Sequence, residues 1–287
     1  MLALSGAACG SGGSGSTDTT AAAARARPTH VYPGPAGLIA GAQPQPNGFM
    51  WLLARTDAAA DLHELNLTTG KIDVTIPAAS SSTSVSQSPS GVLGVGLATT
   101  TSGALEFRNG SSGALIATVP IGAPVKGVVA GADGTTFYVL NGSTASMSVT
   151  LVNDQTDKVS VSVPVPLDSV AVTVDPTGQT FSALRADGHL DQIAVGTGAV
   201  SSSFPVGSTP VQLVTADTGT TLYILKSTSS GAGADVGVVD TATESQIRAL
   251  PAPADSVGLQ VSPDGRTLFL VVGTLSYGNV QTFPLSP

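Results

Sequence analysis

The chain has little charge, few aromatic rings, almost no cysteine and no long apolar run. Charged residues make up 10% of its 287 positions and aromatics 4%. A surface so poor in ions must be covered by Ser, Thr, Asn and Gly. The 11 Lys and Arg stand against 19 Asp and Glu, a net charge of −8. That balance argues against a nucleic-acid groove, which needs clustered cations to neutralise phosphates. No basic run is present to hold anionic lipid headgroups. After residue 20, no stretch is long and apolar enough to span a bilayer. Cys9 is the single cysteine, so the body of the chain can hold neither a disulfide nor a cysteine-based zinc or iron–sulfur site. Long runs of Leu, Glu, Lys and Gln are also missing, which leaves helix little local support.

What remains is a β-forming sequence. Hydrophobic residues reach 41%, enough for a large core, with 34 Gly and 19 Pro to make tight turns. Val, Thr, Ile and Ser suit a pleated, half-buried surface.

Three landmarks recur along the chain. The first is a turn ending in glycine, at Gly48, Gly91, Gly134, Gly178, Gly219 and Gly265, with spacings of 43, 43, 44, 41 and 46. The second is a proline closing a Val-rich run, at Pro33, Pro77, Pro120, Pro164, Pro205 and Pro251, spaced 44, 43, 44, 41 and 46. The third is a polar turn at 66–70, 109–113, 153–157, 194–198 and 240–244, spaced 43, 44, 41 and 46. The three series stretch and shrink together, so they belong to one unit of about 43 residues, the length of a four-stranded propeller blade. Within one unit, Ser169–Asp175, Thr180–Arg185, His189–Val195 and Val200–Val206 read as strands a, b, c and d, with a innermost.

The unit resembles the YVTN-type β-propeller repeat. The run from Leu259 to Leu270, LQVSPDGRTLFL, carries its first motif, and Val236 to Thr243, VGVVDTAT, its second. Thr221–Leu225 and Thr136–Asn141 match the second-strand motif. The resemblance covers residues 28–287 and implies an all-β, six-bladed propeller of four-stranded blades. Its motif residues are turn and core residues, so it says little about activity. Thr29–Pro33 reads as a strand d and Gly37–Ala42 as a strand a. We therefore expect the last blade to take b and c from the C-terminal end and d and a from the N-terminal end.

Residues 1–27 form a separate segment. Met1–Ala8 is small and apolar, Cys9 follows, and then comes a Gly/Ser/Thr/Ala tether with no periodicity. The pattern resembles the end of a bacterial lipoprotein signal. That resemblance implies lipid on Cys9, an extracytoplasmic location at the cell membrane surface, and a signal extending upstream of Met1. The membrane would be met through this anchor alone.

Catalytic chemistry has thin support. His30, His63 and His189 fall on the outer strands d, c and c of three units and should not converge, so neither a histidine metal site nor a Ser-His-Asp triad is expected. Asp154 and Asp157 lack the density of oxygen ligands that calcium wants. Asp217 and Asp264 sit in the glycine turns, where carboxylates bond nearby backbone N–H groups. Gly94–Gly96 and Gly231–Gly233 open no helix and make poor phosphate loops. Trp51, Tyr138, Tyr223 and Phe269 recur at one place on strand b, which suits packing between blades better than a sugar-stacking platform. No catalytic residue, metal or cofactor is assigned.

The expected function is a binding or scaffold module, a monomer that takes a protein or small ligand on one loop face. The alternative is a lactonase-like or quinoprotein-like propeller enzyme. The b–c loops carry Arg55, Asp57, Asn141, Arg185, Asp187, Lys226 and Tyr277, and the d–a loops carry Lys126, Asp168 and Asp255. Strand order puts these ten on one face around a channel of small, uncharged side chains. Charges also collect in loops without any such role, and the sequence leaves that reading open.

Overall fold

The computed structural model describes residues 27–207, 209–216, 219–227 and 233–285. Cys9 and the tether up to residue 26, Asp217 and the Gly231–Ala232 pair lie outside them.

The chain is a six-bladed β-propeller of four-stranded antiparallel sheets. It enters on β1 (His30–Gly34). Blade 1 is β2 (Leu38–Gly41), β3 (Phe49–Arg55), β4 (Ala60–Asn66) and β5 (Lys71–Ala78). Blade 2 is β6 (Ser82–Gln87), β7 (Val92–Ala98), β8 (Gly103–Asn109) and β9 (Leu115–Pro120). Blade 3 is β10 (Val125–Ala130), β11 (Thr136–Gly142), β12 (Met147–Asn153) and β13 (Lys158–Val165). Blade 4 is β14 (Ser169–Val174), β15 (Thr180–Arg185), β16 (His189–Ala194) and β17 (Val200–Pro205). Blade 5 is β18 (Pro210–Thr215), β19 (Thr221–Ser227), β20 (Ala234–Asp240) and β21 (Ser245–Ala252). Blade 6 is β22 (Ser256–Val261), β23 (Thr267–Thr274) and β24 (Tyr277–Pro284), completed by β1.

The closing blade corrects one expectation. Strands a, b and c all come from the C-terminal end, and only d comes from the N-terminal end. The segment after β1 does form a strand a, but β2 pairs with β3 and opens blade 1. The d–a connection is the step from one blade to the next, so a span measured from glycine turn to glycine turn covers one sequence repeat but parts of two blades.

Local chemistry explains the turns. All six glycines that end the a–b turns have positive φ, from 69° at Gly265 to 88° at Gly91, a region closed to most L-residues. In the c–d turns, Asn66, Asn109, Asn153 and Asp240 each accept two backbone N–H bonds with Oδ1, so the side chain closes the turn. The last residue of these turns is also left-handed. It is glycine at Gly70, Gly113 and Gly198, but Asp157 (φ 54°) and Glu244 (φ 53°) in blades 3 and 5. A left-handed L-residue is strained by about 1–2 kcal/mol, part of which the greater unfolded-state freedom of glycine takes back. Glu244→Gly should therefore stabilise the chain by about 0.5–1 kcal/mol, read as a higher midpoint in urea unfolding. A lower midpoint would show that the side chain holds the turn.

The core lies between blades. The strands b are buried nearly throughout. Trp51, with none of its surface exposed, donates Nε1–H to the Gly110 carbonyl of blade 2 at 2.8 Å. Tyr138 donates its hydroxyl to the Gly178 carbonyl of blade 4 at 3.1 Å. Burial, with the nearby Asp133 and Asp175 carboxylates, pushes the Tyr138 phenol up to about 12, so the donor stays protonated at neutral pH. Tyr223 and Phe269 are buried likewise. The repeated aromatic position on strand b thus packs blade against blade and offers no face to a sugar.

The outer edges are blunted. On strand d of blades 1 to 5 the ladder to strand c shifts register. The recurring proline lies on strand d in every blade, opposite Asp61, Ala104, Ser148, His189, Asp235 and Asn279. Bulges and prolines on an edge strand both discourage pairing with another chain.

Candidate functional site

Six strands a surround a central channel with a cavity of about 400 Å³. One register detail recurs in all six blades. Strand a bulges at its second residue, between Leu38 and Ala40, Ser82 and Ser84, Val125 and Gly127, Ser169 and Ala171, Pro210 and Gln212, and Ser256 and Gly258. A bulge sets two residues against one and re-aims the extra side chain. The six extra residues are Ile39, Thr83, Lys126, Val170, Val211 and Val257, and every one lines the channel. They form a collar at the channel mouth on the face of the d–a and b–c loops.

The collar is apolar or β-branched at five positions and cationic at one. Lys126 is exposed and has no ion pair or hydrogen bond among the described residues. Among the described residues, the other charged one lining the channel, Asp175, follows the end of β14. It therefore lies roughly 15 Å further along the strand direction, at the a–b turns. Polar side chains deeper in the wall are largely spent on joining blades. Thr173 and Thr215 share a hydrogen bond of 2.9 Å, Gln212 accepts the Leu259 N–H at 2.7 Å, and Gln260 donates to the Gly41 carbonyl at 2.7 Å.

The ten loop-face residues separate into groups. Arg185 binds both oxygens of Asp168, at 3.1 and 3.2 Å, and reaches Asp187 at 2.8 Å. Asp187 also contacts His189 Nδ1 at 3.2 Å. The Asp168 hydrogen bond, then the charges of Asp168, Asp187 and Asp191, push the Arg185 guanidinium up. This cluster is knitted together at the rim of blade 4. Tyr277 donates its hydroxyl to Asp255 in blade 6, and that bond raises the phenol. Arg55 is exposed and donates to the Ser82 carbonyl at 3.3 Å, and Asp57 is exposed in the β3–β4 loop.

Two of the ten are buried and satisfied inside the fold. Lys226 is 8% exposed, donates to Gln246 Oε1 at 2.8 Å and sits 3.2 Å from Asp235. Gly237 makes room for it, since a Cβ there would lie 3.2 Å from Nζ. Asn141 is 5% exposed, and its amide nitrogen, turned toward its acceptors, donates to Thr150 Oγ1 at 2.9 Å.

Large apolar residues are exposed on both faces. The exposed large apolar residues on outer strands d are Val31, Leu115, Ile116, Val159, Val161, Val200 and Ile247. The remaining four, Leu167, Val211, Leu275 and Tyr277, all lie on the d–a and b–c face. Leu115 and Val200 open their strands d and so stand beside the c–d turns, on the opposite face.

Sequence reasoning found the loop charges but missed the collar. Residues 39, 83, 126, 170, 211 and 257 repeat at 44, 43, 44, 41 and 46, the same rhythm as the prolines, and that was the available signal. The histidines stay on separate outer strands, and no group of three or more His, Cys, Asp or Glu side chains is placed to hold a metal among the described residues.

No protein-family model and no curated protein sequence matches the chain. Among solved structures it is similar to the Kuenenia stuttgartiensis hydrazine synthase, with a TM-score of 0.63 and 16% identity over 85% of this chain and 76% of that one. At that identity the likeness carries the propeller fold and nothing about chemistry.

Proposed function

We propose that the chain is a non-catalytic binding module of the YVTN-repeat type, held outside the cytoplasm by lipid on Cys9, which captures a partner on its d–a and b–c face. The observation that carries the reading is the composition of this face. Leu167, Val211, Leu275 and Tyr277 are exposed there, on the same face as Arg55, Lys126 and Arg185. Arg and Tyr anchors with apolar neighbours are the composition of binding hot spots. A catalytic reading would want charged groups converging at the channel mouth. Lys126 and Asp175 stand at opposite ends of it, and the Arg185 cluster spends its charges on itself.

The test is capture from native membranes with the tagged chain supplied with an upstream signal. Arg55→Ala with Leu275→Asp and Tyr277→Ala should leave the melting temperature within a few degrees and reduce capture at least tenfold. Lys71→Ala with Lys158→Ala, beside the c–d turns of the opposite face, should leave capture intact. Cys9→Ser should release the protein to the medium with capture unchanged. Loss of capture through the Lys71 and Lys158 pair alone would assign the functional face to the other side. A wild-type protein already soluble in its host would remove the anchor from the reading.

A further inference from the structure

We propose that the collar at the channel mouth is a binding site for a small amphipathic anion, an apolar body bearing a single carboxylate, with its charge on Lys126. The proposal stands on the channel alone and does not require the protein partner above.

The bulge recurs at the same residue of all six repeats, and each one breaks a ladder step. Their common effect is to turn one side chain per blade toward one opening. Five of those side chains, Ile39, Thr83, Val170, Val211 and Val257, make a ring with no ionisable group. Thr83 spends its hydroxyl on the Gly96 and Val125 carbonyls at 3.2 and 3.1 Å, which leaves its methyl group as the remaining contact. Behind the ring the wall continues through Val128, Val129, Val172 and Val214. The space of about 400 Å³ lies in the usual range for small-molecule pockets, about 300–1,000 Å³.

The charge on the ligand follows from the same geometry. Lys126 is the one cation lining the channel, and its ammonium has no partner among the described residues. A lysine offers a point charge on a flexible stem, suited to one carboxylate, and lacks the rigid fork that grips a phosphate in two places. Polyanions are disfavoured by a net charge of −8 and by Asp168 and Asp255 on the same face. A cationic ligand would be repelled by Lys126 at the entrance. An apolar tail inside the collar with its carboxylate at the rim satisfies both parts of the site.

The test uses calorimetric titration of the whole chain with decanoate, 1-decanol, decyltrimethylammonium and acetate. Decanoate should bind with one-to-one stoichiometry, and acetate and decyltrimethylammonium at least tenfold more weakly. Lys126→Met keeps the stem and removes the charge. It should weaken decanoate at least tenfold, leave decanol within twofold, and leave the thermal melt unchanged, because the Lys126 ammonium makes no ion pair among the described residues. Val211→Trp, which fills the collar from blade 5, should weaken decanoate and decanol together. Absence of decanoate binding to the wild type would overturn the proposal, as would equal affinity in the Lys126→Met variant. Acetate binding as tightly as decanoate would also overturn it, by showing a bare charge contact. Decanoate binding that survives Val211→Trp would place the ligand elsewhere. Capture is tested through Arg55, Leu275 and Tyr277, none of which lines the channel, so the two readings fail separately.

Discussion

A chain lacking residues 27–48 will not give a soluble, cooperatively folding monomer. The deletion removes β1, which is strand d of blade 6, and β2, which is strand a of blade 1. The five-residue ladder from His30–Thr282 to Gly34–Gly278 goes with it. So do the bonds of Thr29 to Thr282, where Thr29 N–H donates to the carbonyl at 2.8 Å and the two hydroxyls meet at 3.0 Å. The loss also opens the core shared by the first and last blades, in which Leu38 and Tyr32 pack against Met50, Phe269, Val271 and Val280. Two sheet edges, on β24 and β3, are left bare and free to pair with other chains. Size-exclusion chromatography should find aggregate, and circular dichroism should find no sharp thermal transition. A monomer with native β signal and a sharp melt would show that the ring is closed by something else.

Removing the Trp51 ring should have the largest effect of any single substitution. The indole is fully buried between blades 1 and 2, among Leu53, Leu62, Val85, Leu93 and Val95. Trp51→Ala leaves a large cavity and an orphaned Gly110 carbonyl, and aromatic truncations of this kind cost about 3–5 kcal/mol. In a domain of this size that lowers the melting temperature by about 10 °C. Trp51→Phe keeps most of the packing and loses the donor, so it should cost about 1–3 kcal/mol. Differential scanning calorimetry separates the two. Equal losses for Ala and Phe would mean that the Nε1–Gly110 bond, rather than the ring's bulk, holds the two blades.

The parts of this fold that could be read in the chain are those governed by neighbouring residues. Glycine at positions 48, 91, 134, 178, 219 and 265 marks turns because only a residue without Cβ enters left-handed backbone freely, and all six do have positive φ. Asn66, Asn109 and Asn153 mark the other turns because their side chains close them. Register could not be read that way. The assignment of Gly37–Ala42 to the closing blade failed because a sequence repeat does not say where one sheet ends and the next begins. The burial of Lys226 was equally hidden. It depends on Gly237 across the sheet, on Gln246, and on the Val206 carbonyl of the preceding blade, 3.5 Å away.

The chain by itself determined an all-β propeller, its six units and the inward place of the strand-b aromatics, because turn conformation and alternation are local and repeat with the chain. Tertiary structure alone decided which of the loop-face residues are free. Among the described residues it left Lys126 unpaired at the channel, tied Arg185 to Asp168 and Asp187, and buried Lys226 and Asn141. It also made the collar. Ile39, Thr83, Lys126, Val170, Val211 and Val257 look like any strand residue in one dimension, and they become a ring only when each strand a slips one step against its neighbour and six blades close around an axis. Pairing register and ring closure are relations between distant segments, and no stretch of sequence contains them.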